Sequence, residues 1–249
     1  MIDPLLLAAF FLLAALLYAS VGHAGASAYL AIMALTGVVP DVARPTALAL
    51  NIVVASFVTF RFWRGGYISG PALLPFLLGS IPLAFLGGSL EVAPALYQKL
   101  VGLVLLLAAV GMALTSRRAA AADTGQAQPQ VPTVPAVGIG AAIGVLSGLT
   151  GTGGGIFLSP VLLFAGWAET RAASGLAAPF ILANSIAGLA GNFSRLESLP
   201  STLPLWIGAV VIGAVIGSEL GSRRAPTLWL RRALAGVLVI AGLKLIFLS

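Results

Sequence analysis

Between Ser147 and Gly155 the chain reads Ser-Gly-Leu-Thr-Gly-Thr-Gly-Gly-Gly, five glycines in nine residues set inside an otherwise apolar stretch. Each interior glycine weakens a helix by about 1 kcal/mol relative to alanine, so a helix entering this run is expected to break there. Around it the composition is that of a polytopic membrane protein: 59% of the 249 residues are hydrophobic and only 8% are charged. An open backbone in hydrocarbon must find partners, and irregular segments persist only where protein buries them or where they line a wet cavity. A helix starting near Gly155 would direct its positive end and free N–H groups into such a cavity. The expected ligand is an anion.

Cutting the chain at glycine, proline and charge gives about ten apolar segments: 4–21, 24–39, 45–62, 70–90, 95–115, 134–150, 154–167, 172–192, 203–221 and 228–248. Several approach the ~20 residues needed to span a bilayer, whereas 24–39 and 154–167 are short, follow a glycine break, and read as re-entrant or half-helices. Residues 116–133, rich in Ala, Gln and Pro, form a linker between a first transmembrane repeat (1–115) and a second (134–249). The halves align in three blocks of conserved order: Gly22–Ala26 with Gly151–Gly155, Thr46–Ala49 with Ser174–Ala177, and Leu86–Leu90 with Ile216–Leu220. With five segments per half, the second repeat must enter the membrane inverted. Alternate placement of the loops collects nine basic residues on one side (Arg61, Arg64, Arg117, Arg118, Arg171, Arg223, Arg224, Arg231, Arg232) and four on the other (Arg44, Lys99, Arg195, Lys244). By the positive-inside rule the linker is cytoplasmic and both termini are periplasmic. The expected fold class is therefore an all-α polytopic membrane protein of two inverted repeats, each with a broken or re-entrant helix pair. Paired helix interruptions at corresponding places in two inverted halves point to the site of a secondary transporter.

The Gly-x-Gly-Gly-Gly break followed by Phe157-Leu158-Ser159-Pro160-Val161-Leu162, a basic residue at the next helix start (Arg171), the small-residue run Ala172 to Leu176, and a closing Leu243-Lys244-Leu245 resemble the TauE/SafE family of sulfite and organosulfonate exporters. The resemblance covers nearly the whole chain. In the first half, Gly22-His23-Ala24-Gly25-Ala26 and Arg44-Pro45-Thr46 depart from the family's pattern. The resemblance implies export of sulfite, sulfoacetate or a related C2–C3 sulfonate across a bacterial inner membrane.

The candidate substrate site is formed by Gly22, His23, Ala24 and Gly25 of the first break and by Thr150, Gly151, Thr152, Gly153, Gly154 and Gly155 of the second. Thr46, Asn51, Ser174 and Asn184 are expected to add side-chain donors, because an amide or hydroxyl at membrane depth needs a partner and a sulfonate supplies acceptors. Ser20, Ser56 and Ser185 are as readily bonded to their own helix carbonyls. His23, the one histidine, is a candidate proton site beside the first break, with a packing role as the alternative. Arg44 and Arg171 stand at corresponding helix starts and are expected to steer an anion or to snorkel, each paired with a nearby acid (Asp41, Glu169). Glu219, in a glycine-rich segment, is a gating candidate or a partner of Arg223. Other glycines, such as Gly87, Gly88 and Gly213, read as helix-packing positions.

The absence of cysteine and the scarcity of histidine and carboxylates make a metal site improbable, and no cofactor is expected. Basic residues scattered between apolar segments argue against a nucleic-acid partner. An intramembrane hydrolase would need the lone histidine to find a serine across the bundle, so the chain is not read as an enzyme. A substrate-free assembly subunit is the alternative to a transporter, but it gives no reason for two helix breaks. The expected partners are the lipid bilayer and a small anion, with proton coupling and self-association left open.

Overall fold

A computed structural model describes residues 3–118, 129–223 and 228–247. Within them every regular element is helical: α1 (Pro4–Ala19), α2 (Ala26–Leu35), α3 (Pro40–Arg64), α4 (Gly70–Ser89), α5 (Pro94–Arg118), α6 (Thr133–Thr150), α7 (Gly155–Phe164), α8 (Thr170–Gly191), a short 3-10 helix (Phe193–Ser198), α9 (Leu203–Arg223) and α10 (Leu228–Phe247). Six of these (α3, α4, α5, α6, α8 and α9) are long and apolar enough to cross a membrane. At 1.5 Å per residue, α2 and α7 rise only about 15 Å each, roughly half a hydrocarbon core, as their short segments led one to expect. The expected start of the third segment at residue 45 is corrected to Pro40. Pro45 lies inside the helix; the Asp41 carbonyl it would leave without an i+4 donor is taken by Ser198 Oγ at 2.8 Å. Most of the linker, 119–128, lies outside the described residues, but Gln130 N donates to Trp167 O and fixes its end to the α7–α8 turn.

Lipid offers no hydrophobic gain for pressing two helices together, so close backbone packing through small residues has to do it. Gly140, Gly144 and Gly148 of α6 lie against the backbone of Phe76, Ser80 and Ala84 of α4, so closely that a Cβ would sit 2.2–2.4 Å from a carbonyl oxygen. The constant register shows that α4 and α6 run parallel. Gly213 and Gly217 of α9 meet Leu12 and Leu16 of α1 in the same way, also parallel. By contrast α3 and α8 run antiparallel, with Leu48 beside Gly188, Asn51 beside Ser185 and, just past the end of α3, Tyr67 beside Gly175. Gly102 against Gly242 sets α5 on α10. The pairing is reciprocal: α4 on α6 answers α9 on α1, and α3–α8 and α5–α10 each pair an element with its own counterpart. Two apolar cores result, one built mainly from α1, α2, α3, α5, α9 and α10, the other from α4, α6, α7 and α8.

Candidate functional site

The two interruptions are held open by glycine. Backbone φ is positive at Gly22 and Gly25 in the first and at Gly151, Gly153 and Gly154 in the second, a conformation that residues with a Cβ avoid. Their tips lie apart: Gly22 faces Ser174 and Phe62, whereas Gly151 faces Arg44. Their inner ends converge on Asn51. Its Oδ1 accepts from Ala26 N at 3.2 Å, capping α2, and its Nδ2 donates to Ser185 Oγ at 2.8 Å. A Cβ on Gly153 would lie 2.2 Å from that same Nδ2 and 2.9 Å from Ser185 Oγ. The breaks thus share one wall, the α3–α8 contact.

Their amides are satisfied differently. In the first break the N–H groups of Ser20, Val21, Gly22 and His23 close back on α1, and Ala26 is capped, leaving Ala24, Gly25 and Ser27 without an acceptor among the described residues. In the second, Gly151 N reaches Ser147 O, but the five successive N–H groups of Thr152 through Ile156 have no acceptor among the described residues. Thr152 to Gly155 are buried. A buried N–H without an acceptor costs about 1–3 kcal/mol, so a run of this length calls for a ligand that accepts several hydrogen bonds. Successive N–H groups around left-handed glycines at a helix start form a concavity suited to an anion.

Side chains close the space. Ser147, fully buried with its Oγ unpartnered, has its Cβ 3.5 Å from where a Gly154 Cβ would be. His23 reaches across from the first break: Nε2 is 3.0 Å from Ser159 Oγ, Nδ1 is 3.2 Å from Val21 O, and Cδ2 is 3.7 Å from a Cβ position on Gly155. Thr150 Oγ1 bonds Leu146 O and Thr152 Oγ1, and Tyr97 Oη holds the Thr150 carbonyl. Thr46 is fully buried with an unpartnered Oγ1, and Ser174 Oγ ties α8 to Val21 O at 3.1 Å.

Several expectations change. Asn184 was expected to offer its amide to the ligand, but Nδ2 donates to Phe180 O one turn back in its own helix and only Oδ1 is unpartnered, an acceptor that repels an anion. Ser20 and Ser56 do bond their own helices, whereas Ser185 instead accepts from Asn51. Arg44 is no vestibule residue: it is 5% exposed and bonded to helix carbonyls. Its expected partner Asp41 pairs instead with Arg195. Arg171 is exposed and stacks on Tyr67, donating to its hydroxyl at 3.3 Å. Glu219 pairs with Arg61 of α3 at 2.9 Å; the side chain of its other candidate partner, Arg223, lies outside the described residues. Ser147 and Ser159 stand in the glycine run and in the motif that follows it but are not among the expected donors, and Tyr97 is not singled out at all. Ser159, one turn after Gly155, and Ser147, at the head of the glycine run, could have been found from their spacing, but Tyr97 carried no signal.

Residues 6–245 match the model of the sulfite exporter TauE/SafE family. The chain belongs to that family. It is 41% identical over 242 residues to the probable membrane transporter protein y4hK of Sinorhizobium fredii (strain NBRC 101917 / NGR234), covering 97% of each chain. To the probable membrane transporter protein YjnA of Bacillus subtilis (strain 168) it is 27% identical over 238 residues, covering 90% of this chain and 92% of the relative. No solved structure matches it. Like these relatives, named as membrane transporters, the chain is a membrane transporter, with six helices long and apolar enough to cross a membrane among the described residues.

Proposed function

We propose that the chain is a secondary transporter that exports a small oxyanion, sulfite or a C2–C3 organosulfonate such as sulfoacetate, across the bacterial inner membrane. The observation that carries this reading is the run of N–H groups from Thr152 to Ile156, on residues buried as far as Gly155, which has no acceptor among the described residues and lies against Asn51 and Ser185 at Gly153. A sulfo group presents three oxygens that can take several such bonds at once. The reciprocal packing of the two halves, and the antiparallel course of α3 and α8, support inverted repeats working by alternating access around this site. The charge asymmetry supports a cytoplasmic linker and periplasmic termini. His23, whose ring bonds Val21 O in the first break and Ser159 in the helix that follows the second, is the site through which a proton would be coupled to the anion.

Purified protein in proteoliposomes, given labelled sulfite, sulfoacetate, taurine or sulfate with and without a pH gradient, tests the reading. Saturable movement of at least one oxyanion, lost in Gly153→Ala, is expected. Equal fluxes in wild type, Gly153→Ala and protein-free vesicles for all four would sink it. If His23 couples the proton, His23→Gln retains flux but loses its response to the gradient.

A further inference from the structure

The Arg44 side chain is buried, 5% exposed, and every hydrogen bond it makes goes to a backbone carbonyl. Nε and Nη2 reach Gly148 O at 3.1 and 2.7 Å, Nη2 also reaches Gly87 O at 2.5 Å and Gly88 O at 2.8 Å, and Nη1 reaches Leu90 O at 3.2 Å. These acceptors lie at the C-terminal ends of α4 and α6, whose partial negative charge offsets part of the guanidinium's. No carboxylate pairs with it among the described residues. Arg61 is paired with Glu219, Arg195 with Asp41 and Glu91, and Arg171 is exposed; Lys244 is also held by carbonyls, Ala34 O and Leu35 O, but it is only half-buried, whereas Arg44 is buried. A buried cation held only by dipoles remains short of a counter-ion.

Its position says where that counter-ion sits. Gly148, which accepts two of the bonds, is one helical turn before Thr152, where the run of acceptor-free N–H groups begins. A Cβ on Gly151 would lie 3.2 Å from Arg44 O and 3.3 Å from its Cγ, so the arginine lies directly on the turn leading into that run. We infer that Arg44 is the fixed counter-charge of the anion site, a specificity-determining residue that makes the site prefer a net-negative ligand to a neutral one of the same shape. This rests on the reading that the second break holds an anion. Four carbonyls take all but one N–H, on Nη1, of the guanidinium, so it attracts the anion without the bidentate bond that would slow release. Across roughly 10 Å at an effective dielectric of about 20, one unit charge changes affinity roughly 10- to 20-fold.

Calorimetric titration of the detergent-solubilised full chain with ethanesulfonate and with its neutral isostere ethanesulfonamide separates counter-charge from mere clamp. Arg44→Lys keeps the charge without the planar fork, and Arg44→Met keeps the stem without the charge. Ethanesulfonate affinity should stay within about threefold in Arg44→Lys and fall roughly 10- to 20-fold in Arg44→Met, with ethanesulfonamide unchanged in both. An unchanged sulfonate affinity in Arg44→Met, an equal loss in Arg44→Lys, or a parallel loss for the sulfonamide would overturn the inference. If Arg44→Met does not fold, the pair Leu90→Asp and Leu90→Asn decides. Leu90 is 54% exposed and its carbonyl touches the guanidinium, so an aspartate there adds a negative charge on a residue in contact with Arg44 at little cost to packing. Sulfonate affinity should fall in the aspartate variant alone, and equal affinities in the two would refute the counter-charge. Wild-type protein that binds no sulfonate, sulfite or sulfate would remove the anion site itself, a result distinct from any difference among variants.

Discussion

Gly153→Ala is the smallest change that interrogates the site. The residue has φ +74°, and its Cβ would lie 2.2 Å from Asn51 Nδ2, 2.9 Å from Ser185 Oγ and 3.0 Å from Ile181 Cγ2, well inside the ~3.5 Å of ordinary contact. Holding alanine in the left-handed region costs about 1–2 kcal/mol. Displacing Asn51 loses its bond to Ser185, worth about 1 kcal/mol, and draws Oδ1 off the buried Ala26 N–H, which costs about 1 kcal/mol or more. These neighbours are not additive, so a loss of about 3 kcal/mol in stability is expected. If the turn rotates away, at least one N–H is lost to a charged acceptor, worth about 1.5–3 kcal/mol, or roughly 10- to 150-fold in affinity. The assay is calorimetric binding of ethanesulfonate beside thermal unfolding in the same detergent. Gly166→Ala is the control: φ is +68° there but nothing lies within 4 Å, so it pays only the backbone strain and keeps full affinity. Binding by Gly153→Ala within threefold of wild type, with a stability loss no larger than the control's, would refute the assignment of the site.

Asn51→Ala should weaken sulfonate binding by about 1–3 kcal/mol, because it uncaps α2 at the shared wall, whereas Asn184→Ala should change it less than threefold; calorimetry on both compares them directly. Gly144→Ala places a Cβ 2.4 Å from Ser80 O and should destabilise the α4–α6 pair by about 2 kcal/mol or more, while Gly138→Ala, with nothing nearby, should be neutral or gain up to about 1 kcal/mol in thermal unfolding. A single cysteine at Gln130 should react with an impermeant thiol reagent only from the cytoplasmic side; labelling from outside intact cells reverses the topology. Glu219→Gln should cost no more than about 1 kcal/mol of stability, since both members of its pair with Arg61 are partly exposed, but should raise the reactivity of a cysteine at Ser174 toward reagents added from the cytoplasmic side.

Backbone features could be read from the sequence because their causes are local. Glycine weakens helices wherever it stands, so the breaks at Gly22–Gly25 and Gly151–Gly154 and the short helices after them could be placed closely. Packing glycines such as Gly87, Gly88 and Gly213 were legible for the same reason. Side-chain partners were not. Arg44 resembled a surface arginine because its acceptors are backbone carbonyls, which any residue type supplies and no pattern marks. Glu219 has Arg223 one turn away in sequence, but Arg61, 158 positions distant, reaches it across the α3–α9 contact. Asn184 and Asn51 are the same residue type on corresponding helices, yet one turns to its own backbone and the other bridges two elements. That choice depends on which neighbour stands opposite, and only the fold decides it.

The unequal strength of the ties at the two ends of α3 bears on how such a protein could open. Near its N-terminal end Arg44 clasps four carbonyls of the glycine-packed α4–α6 pair, and breaking that clasp would leave a buried guanidinium and several carbonyls unpaired. At the other end Arg61 meets Glu219 of α9 in an ion pair whose side chains are 32% and 46% exposed, worth no more than about 1 kcal/mol. The polar ties of α3 are thus strong toward α4–α6 and weak toward α9, while its apolar face packs in one core with α1 and α9. On the proposed topology the loose end is cytoplasmic, where Gly22 and Ser174 cap the approach to the shared wall at Asn51. On that proposal, parting the Arg61–Glu219 pair costs less in polar contacts than parting the Arg44 clasp, so the first opening is expected at the cytoplasmic side, the order that the proposed export would require.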